Sequence, residues 1–121
     1  MHRAIVDSGH ELTSPWVLGS GEGKGGDRVN VFSRDKTAVE LSEAIVADVS
    51  APSTGVGMEI MAARQHGKRI ILAMQKGSVV SRMLLQMDRK EVLEFTDDRD
   101  LYAGLRRLLE TGKGSERRES V

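Results

Sequence analysis

The 121-residue chain has no cysteine, which excludes disulfides, thiolate nucleophiles and cysteine-based zinc sites and fits a reducing cytoplasm. Imidazoles are scarce as well. Only His2, His10 and His66 are present, too scattered for a metal site. Neither sign of charge dominates: 18 Lys and Arg balance 18 Asp and Glu, so there is no overall basic field to hold a nucleic-acid backbone. Any anion must be bound locally. No apolar run approaches the roughly 20 residues of a membrane span, and the first residues lack the apolar stretch and small-residue cleavage site of a signal peptide. Nucleic acid and membrane are therefore not expected partners. What is present, 39% hydrophobic and 30% charged residues, suffices for one globular core at this length and is too little for two.

Periodicity and turn chemistry divide the chain into alternating helices and strands. Residues 1–8 read as the end of a helix closed by Gly9. A strand is expected over 11–17, where Pro15 marks an edge position or an early end. Residues 19–26 hold five of the 13 glycines and read as a mobile loop. Asp27 is the expected cap of a helix reaching Glu43, with Val29, Phe32 and Val39 on one face and Asp35 on that same face. The apolar run 44–49 (AIVADV) predicts a buried parallel strand at the centre of the sheet. A loop then leads into a helix from Val56 to His66, closed by Gly67. Residues 68–74 (KRIILAM) predict the next buried strand, 79–87 a short helix and 92–95 a further strand. The last helix, 98–109, carries Leu101, Leu105, Leu108 and Leu109 as an apolar stripe. Residues 1–110 thus form one domain, and 111–121 a disordered tail with almost nothing to bury. The order of elements implies an α/β fold with a doubly wound parallel sheet built of right-handed βαβ units. Ligands bind beyond the carboxyl ends of such strands, which directs attention to the loops after Val49 and Met74.

The segment from Asp48 to Glu59 leaves a strand, crosses a loop of small residues and enters a helix, placing Glu59 in the expected first turn. There the helix terminus favours an ionised carboxylate by about 0.3–1 kcal/mol. Such a group suits attack on an electrophilic carbon, or it is simply a helix N-terminal acid. Gly55 and Gly57 allow close backbone approach to a ligand or tight loop packing. Ser53 either binds an anion or caps the helix. Asp35, on an apolar face, either meets a partner or a ligand, because an unpaired buried carboxylate is costly, or is a sheet-edge aspartate facing solvent.

Pro52-Ser53-Thr54-Gly55-Val56-Gly57-Met58-Glu59 followed by Gly67-Lys68-Arg69-Ile70 resembles the signature of the 2'-deoxynucleoside 5'-phosphate N-hydrolase family, within the nucleoside 2-deoxyribosyltransferase superfamily. A weaker similarity runs from about Ile5 to Thr111. The resemblance implies a Rossmann-like, flavodoxin-type sheet ordered 2-1-3-4-5. It implies cleavage of the N-glycosidic bond of 2'-deoxynucleoside 5'-monophosphates to 2-deoxyribose 5-phosphate and free base, with no metal or organic cofactor. On the matching positions, Glu59 is the nucleophile at C1', and Asp35 lies near sugar and base to supply or relay a proton. Ser53 stands where the transferases carry an aspartate, which lets a dianionic 5'-phosphate approach. Gly55 and Gly57 lie beside the substrate.

Ser81, Arg82 and Met83 fall on the family's S-x-M segment, which implies a homodimer in which this segment reaches the partner's phosphate. The middle residue is usually small in the family. Arg82 either contacts phosphate bidentately or is a solvated helix charge. Met83, Leu84 and Met87 read as dimer or domain core, Arg64, Lys68 and Arg69 as solvated charges, and His66 as a helix C-terminal group. The alternatives are base exchange between deoxynucleosides and a non-catalytic nucleotide-binding module. The family pattern also has a first strand ending in a G-S-I-R-G-G-like loop, which this sequence lacks, and a histidine that is replaced near Pro15. Either the chain as given is shortened at its start, or a rearranged four-strand sheet or a neighbouring subunit fills the gap.

Overall fold

The computed structural model describes residues 2–9 and 30–112. The expected strand 11–17, the loop 19–26, the Asp27 cap, Val29 and residues 113–121 lie outside these. Helix α1 spans His2–Asp7 and is followed by Gly9 at φ 86°. Helix α2 spans Val31–Leu41, capped by Asn30, whose Oδ1 accepts the Ser33 amide at 3.0 Å. It stops short of Glu43 because Ser42 turns extended and bonds back into the last turn, its Oγ donating to the Ala38 carbonyl at 2.7 Å.

Strands β1 (Ala44–Asp48), β2 (Arg69–Gln75) and β3 (Glu91–Phe95) pair in parallel, in the order β1-β2-β3. Among the described residues β2 is the central strand and β1 pairs on one side, with β2; the expected strand 11–17, on which a central place for β1 depends, lies outside them. The described sheet has three strands, where a rearrangement to four was one expectation. Burial follows the order. Ile70, Ile71, Leu72 and Ala73 of β2 are all closed to solvent, whereas β1 is only half-buried over Ala44 to Val46.

Successive side chains of β2 point to opposite faces. On one face Ile70, Leu72 and Met74 join Val39 of α2, Ala47, and Ile60 and Ala63 of helix α3, which spans Thr54–Gln65. On the other, Ile71 and Ala73 join Ala4 of α1 and Leu101, Leu105 and Leu109 of helix α5, which spans Asp98–Gly112. Helices cover both faces of a parallel sheet, the layered arrangement expected of a doubly wound fold. Gly67, at φ 69°, closes α3 in a conformation that disfavours a side chain. Gly104 lets α5 sit close to β3, since a Cβ there would stand 2.6 Å from Leu93 Cδ1.

Two local expectations change. Arg69 is not a solvated charge: its guanidinium donates to Glu91 Oε1 at 2.8 Å and to the Leu108 carbonyl at 2.9 Å, tying β2 to β3 and α5. Helix α5 runs through Gly112, past the expected start of the tail at residue 111. Helix α4 is short, Arg82–Gln86, because Ser81 caps it and Met87 is already extended. No described helix is long and apolar enough to cross a membrane.

Candidate active site

At the carboxyl end of β1 the chain folds through a tight series of side-chain bonds. Asp48 Oδ1 accepts the Ser50 amide at 2.9 Å, and Ser50 Oγ accepts the Gln75 amide at 2.8 Å, joining the loop to the end of β2. Ser53 Oγ then accepts the Val56 amide at 3.2 Å and caps α3. The capping role is thus realised. A hydroxyl accepting one bond still has its O–H to donate.

Capping at Ser53 starts α3 two residues earlier than expected, so Glu59 lies in its second turn, and the first turn holds no acid. The field of a helix terminus fades beyond the first turn. Another force therefore governs Glu59. Loss of solvent, then a hydrogen bond to the Asp35 carboxyl and its negative charge, push the Glu59 carboxyl up to about 7, with Arg34 acting in the opposite direction. The sequence predicted a carboxylate held ionised by the helix end; the fold provides a carboxyl that gives up its proton near neutrality.

Asp35 comes from α2, which packs directly on α3. The partner it needed is present: Glu59 bonds to its carboxyl, and Arg34 Nε donates to its Oδ1 at 2.9 Å. The Arg34 and Asp35 side chains are 19% and 16% exposed. Of the apolar face expected around Asp35, Val39 is buried whereas Phe32 is 59% exposed. Two carboxyls sharing a hydrogen bond can divide the labour of an acid and a nucleophile, as one proton suffices for both.

Gly55 and Gly57 occupy the start of α3. A Cβ at either would meet no atom within 4 Å, and neither has a positive φ. Packing and backbone conformation therefore do not require glycine, which costs a helix interior roughly 0.5–1 kcal/mol relative to alanine. Gly55 stands one turn before Glu59, on the same flank of the helix. Gly57 faces the other flank. There it lines a cavity of about 1060 Å³ with Ser53, Met61, Ser81, Met83 and Leu84.

The expected site residues thus fall into two groups. Ser53, Gly57, Ser81 and Met83 share the cavity, while Asp35 and Glu59 form the carboxyl pair and do not line it. The charged residues of the cavity wall, Arg64 and Asp88, bond to each other at 2.9 and 2.5 Å, so Arg64 is not a simple solvated charge. Ser81 Oγ accepts the Met83 amide at 3.2 Å as the cap of α4, and Arg82 is exposed, outside the cavity wall. Leu84 and Met87 pack against the core, but Met83 is 77% exposed and Val79 90%. His66 ends α3 and its Nδ1 bonds the Ala62 carbonyl at 2.9 Å, the helix-terminal role expected of it. Sequence reasoning missed Arg34. Adjacent helical residues diverge by about 100°, so spacing does not announce an Arg34–Asp35 contact. Among the described residues no three His, Asp or Glu cluster as a metal site.

No protein-family model matches the chain. A relative named as a 2'-deoxynucleoside 5'-phosphate N-hydrolase, from Methanococcoides burtonii, is 33% identical over 87 residues, 69% of this chain and 70% of the relative. A 5-hydroxymethyl-dUMP N-hydrolase from Danio rerio is 35% identical over 79 residues, 64% of this chain and 54% of its own length. In three dimensions the chain resembles the CMP N-glycosidase BcmB of Clostridium botulinum, with a TM-score of 0.65 at 19% identity over 85% of this chain and 83% of that one. That likeness carries the fold.

Proposed function

The chain belongs to the 2'-deoxynucleoside 5'-phosphate N-hydrolase family, and from that premise we propose that it is an N-glycosidase that hydrolyses 2'-deoxynucleoside 5'-monophosphates to free base and 2-deoxyribose 5-phosphate. The observation that carries this reading is the hydrogen-bonded Asp35–Glu59 pair, half-buried where α2 packs on α3. Ionised Glu59 attacks C1', the bond from C1' to the base nitrogen breaks, and Asp35 delivers a proton to the departing base. Water, deprotonated by Asp35, then attacks C1' and releases Glu59, the two-step course of a retaining glycosidase. The scheme uses no metal or organic cofactor. Ser53 retains its O–H to donate to a phosphate oxygen, next to the first amides of α3. A homodimer would cover the exposed Val79 and Met83 and bring Ser81, Arg82 and Met83 to the partner's phosphate.

The test is to incubate the chain with a deoxynucleoside 5'-monophosphate and the matching nucleoside and to quantify free base, with light scattering to read the mass of the particle. Release from the monophosphate alone supports the reading. Transfer of the sugar to an added base, faster than hydrolysis, decides for base exchange, and binding without turnover for a non-catalytic module.

The glycines supply an independent check. Gly55→Ala is expected to raise stability in urea unfolding by roughly 0.5–1 kcal/mol, since the methyl meets nothing. Turnover should nevertheless fall several-fold, because that methyl stands in the space one turn before Glu59. Undiminished turnover places the substrate elsewhere.

A further inference from the structure

We propose that Arg64 and Asp88 are positioning residues for the phosphate side of the site: their ion pair pins α4 to α3 across the cavity and so fixes where Ser81, Arg82 and Met83 stand when a 5'-phosphate binds. The inference rests on the phosphate role proposed above for that segment. Arg64 lies in the last turn of α3, and its Nε and Nη2 both donate to Asp88 Oδ1, at 2.9 and 2.5 Å. Asp88 follows directly on Met87, the residue that ends α4. The Arg64 hydrogen bond holds the Asp88 carboxyl below the ordinary aspartate range, so the pair is ionised at neutral pH.

Helix α4 has little else to attach it. It is five residues long with no buried residue, and residues of α3 and α4 form facing walls of the cavity of about 1060 Å³. Its apolar attachments, Leu84 and Met87, pack against the core but stay only half-buried. The bond from the Met83 amide to Ser81 Oγ and the bond from Lys90 Nζ to the Met87 carbonyl span two and three residues, so they shape the segment without tying it to α3. The Arg64–Asp88 pair spans 24 residues and reaches the other wall. Directly after Asp88, Arg89 adopts φ 60°, a left-handed conformation that is unfavourable for a residue with a side chain and persists where its neighbours are held. Here Asp88 is held on one side and Lys90 on the other.

The side chains of Arg64 and Asp88 are 34% and 62% exposed, and an ion pair so wetted adds little to the stability of a whole domain. Its weight is local. An element with few buried contacts opens at a small free-energy cost, so a modest interaction decides what fraction of the time it is closed. A ligand that needs the closed arrangement binds in proportion to that fraction. Loss of the ion pair therefore weakens the hold on phosphate, while Asp35 and Glu59, which do not line the cavity, keep their chemistry.

Arg64→Gln and Asp88→Asn should each raise KM for a deoxynucleoside 5'-monophosphate by about fivefold, with kcat within about twofold of the wild type. The melting temperature should stay within about 2 °C. Calorimetry with 2-deoxyribose 5-phosphate reads the same loss of affinity without turnover, and amide exchange over residues 82–87 should quicken by a similar factor. Because the two residues act through one contact, the double variant should be no worse than either single one. Unchanged affinity in the folded single variants, losses that add in the double variant, or a fall in kcat with KM unmoved overturns the proposal. Weakened 2-deoxyribose 5-phosphate binding and faster α4 exchange in a protein that releases no base keep the ion pair's role and reject the proposed reaction. Absence of 2-deoxyribose 5-phosphate binding in the wild type rejects both.

Discussion

Glu59→Gln should lower base release from a deoxynucleoside 5'-monophosphate by about 10³-fold or more, the scale of loss when a covalent nucleophile is removed. Glutamine keeps the shape and a hydrogen bond toward Asp35 but cannot form the glycosyl ester. The fold should survive, because the burial that raises Glu59 penalises its charged form. The pH dependence of stability separates the two effects. The Glu59 carboxyl sits at about 7 in the folded chain against 4.5 for an ordinary glutamate. Its favourable contribution to folding is therefore complete below pH 4.5 and is lost as pH rises through about 7. Across that window the melting temperature of the wild type should fall by a few degrees relative to Glu59→Gln, whose side chain does not titrate. Turnover by Glu59→Gln at the wild-type rate would sink the mechanism outright.

Asp35→Asn should slow turnover by about 10²-fold, the lower end of what a positioned general acid contributes. It should also alter the pH profile in a direction that simple damage would not produce. Two of the effects that raise Glu59 come from Asp35, its hydrogen bond and its charge. Without them Glu59 ionises more readily, its midpoint moves down by about 1 pH unit, and the alkaline limb of kcat/KM, which in the wild type marks loss of the proton Asp35 must deliver, disappears. The residual enzyme thus has a willing nucleophile and no acid. A substrate whose base departs without protonation should recover most of the lost rate. If the loss is the same for every leaving group, Asp35 is not the proton donor.

The alternation of elements was readable because each is specified locally: two apolar runs for β1 and β2, Gly67 at the end of α3, and the leucine stripe of α5. What escaped depends on competition or on distance. Ser53 and Val56 compete as the start of α3, and Ser53 wins through its bond to the Val56 amide. That shift of two residues leaves Glu59 beyond the reach of the helix terminus. The pairing of β1 with β2 is set by residues far along the chain, which its own five residues do not encode. Arg69 looks like any charge at a strand entrance until Glu91 and Leu108, 22 and 39 residues on, close around it. The candidate carboxyls were both visible in the sequence; the proton they share and the arginine beside them required the fold.

Strand β2 binds both layers of the molecule through consecutive residues, Ile70, Leu72 and Met74 to one side and Ile71 and Ala73 to the other. Neither layer can detach without baring one side of the same strand to water, so the free energies of opening the two layers are coupled through it. The described domain is therefore expected to come apart in a single cooperative transition, and the carboxyl pair on one face inherits protection from the leucines of α5 on the other.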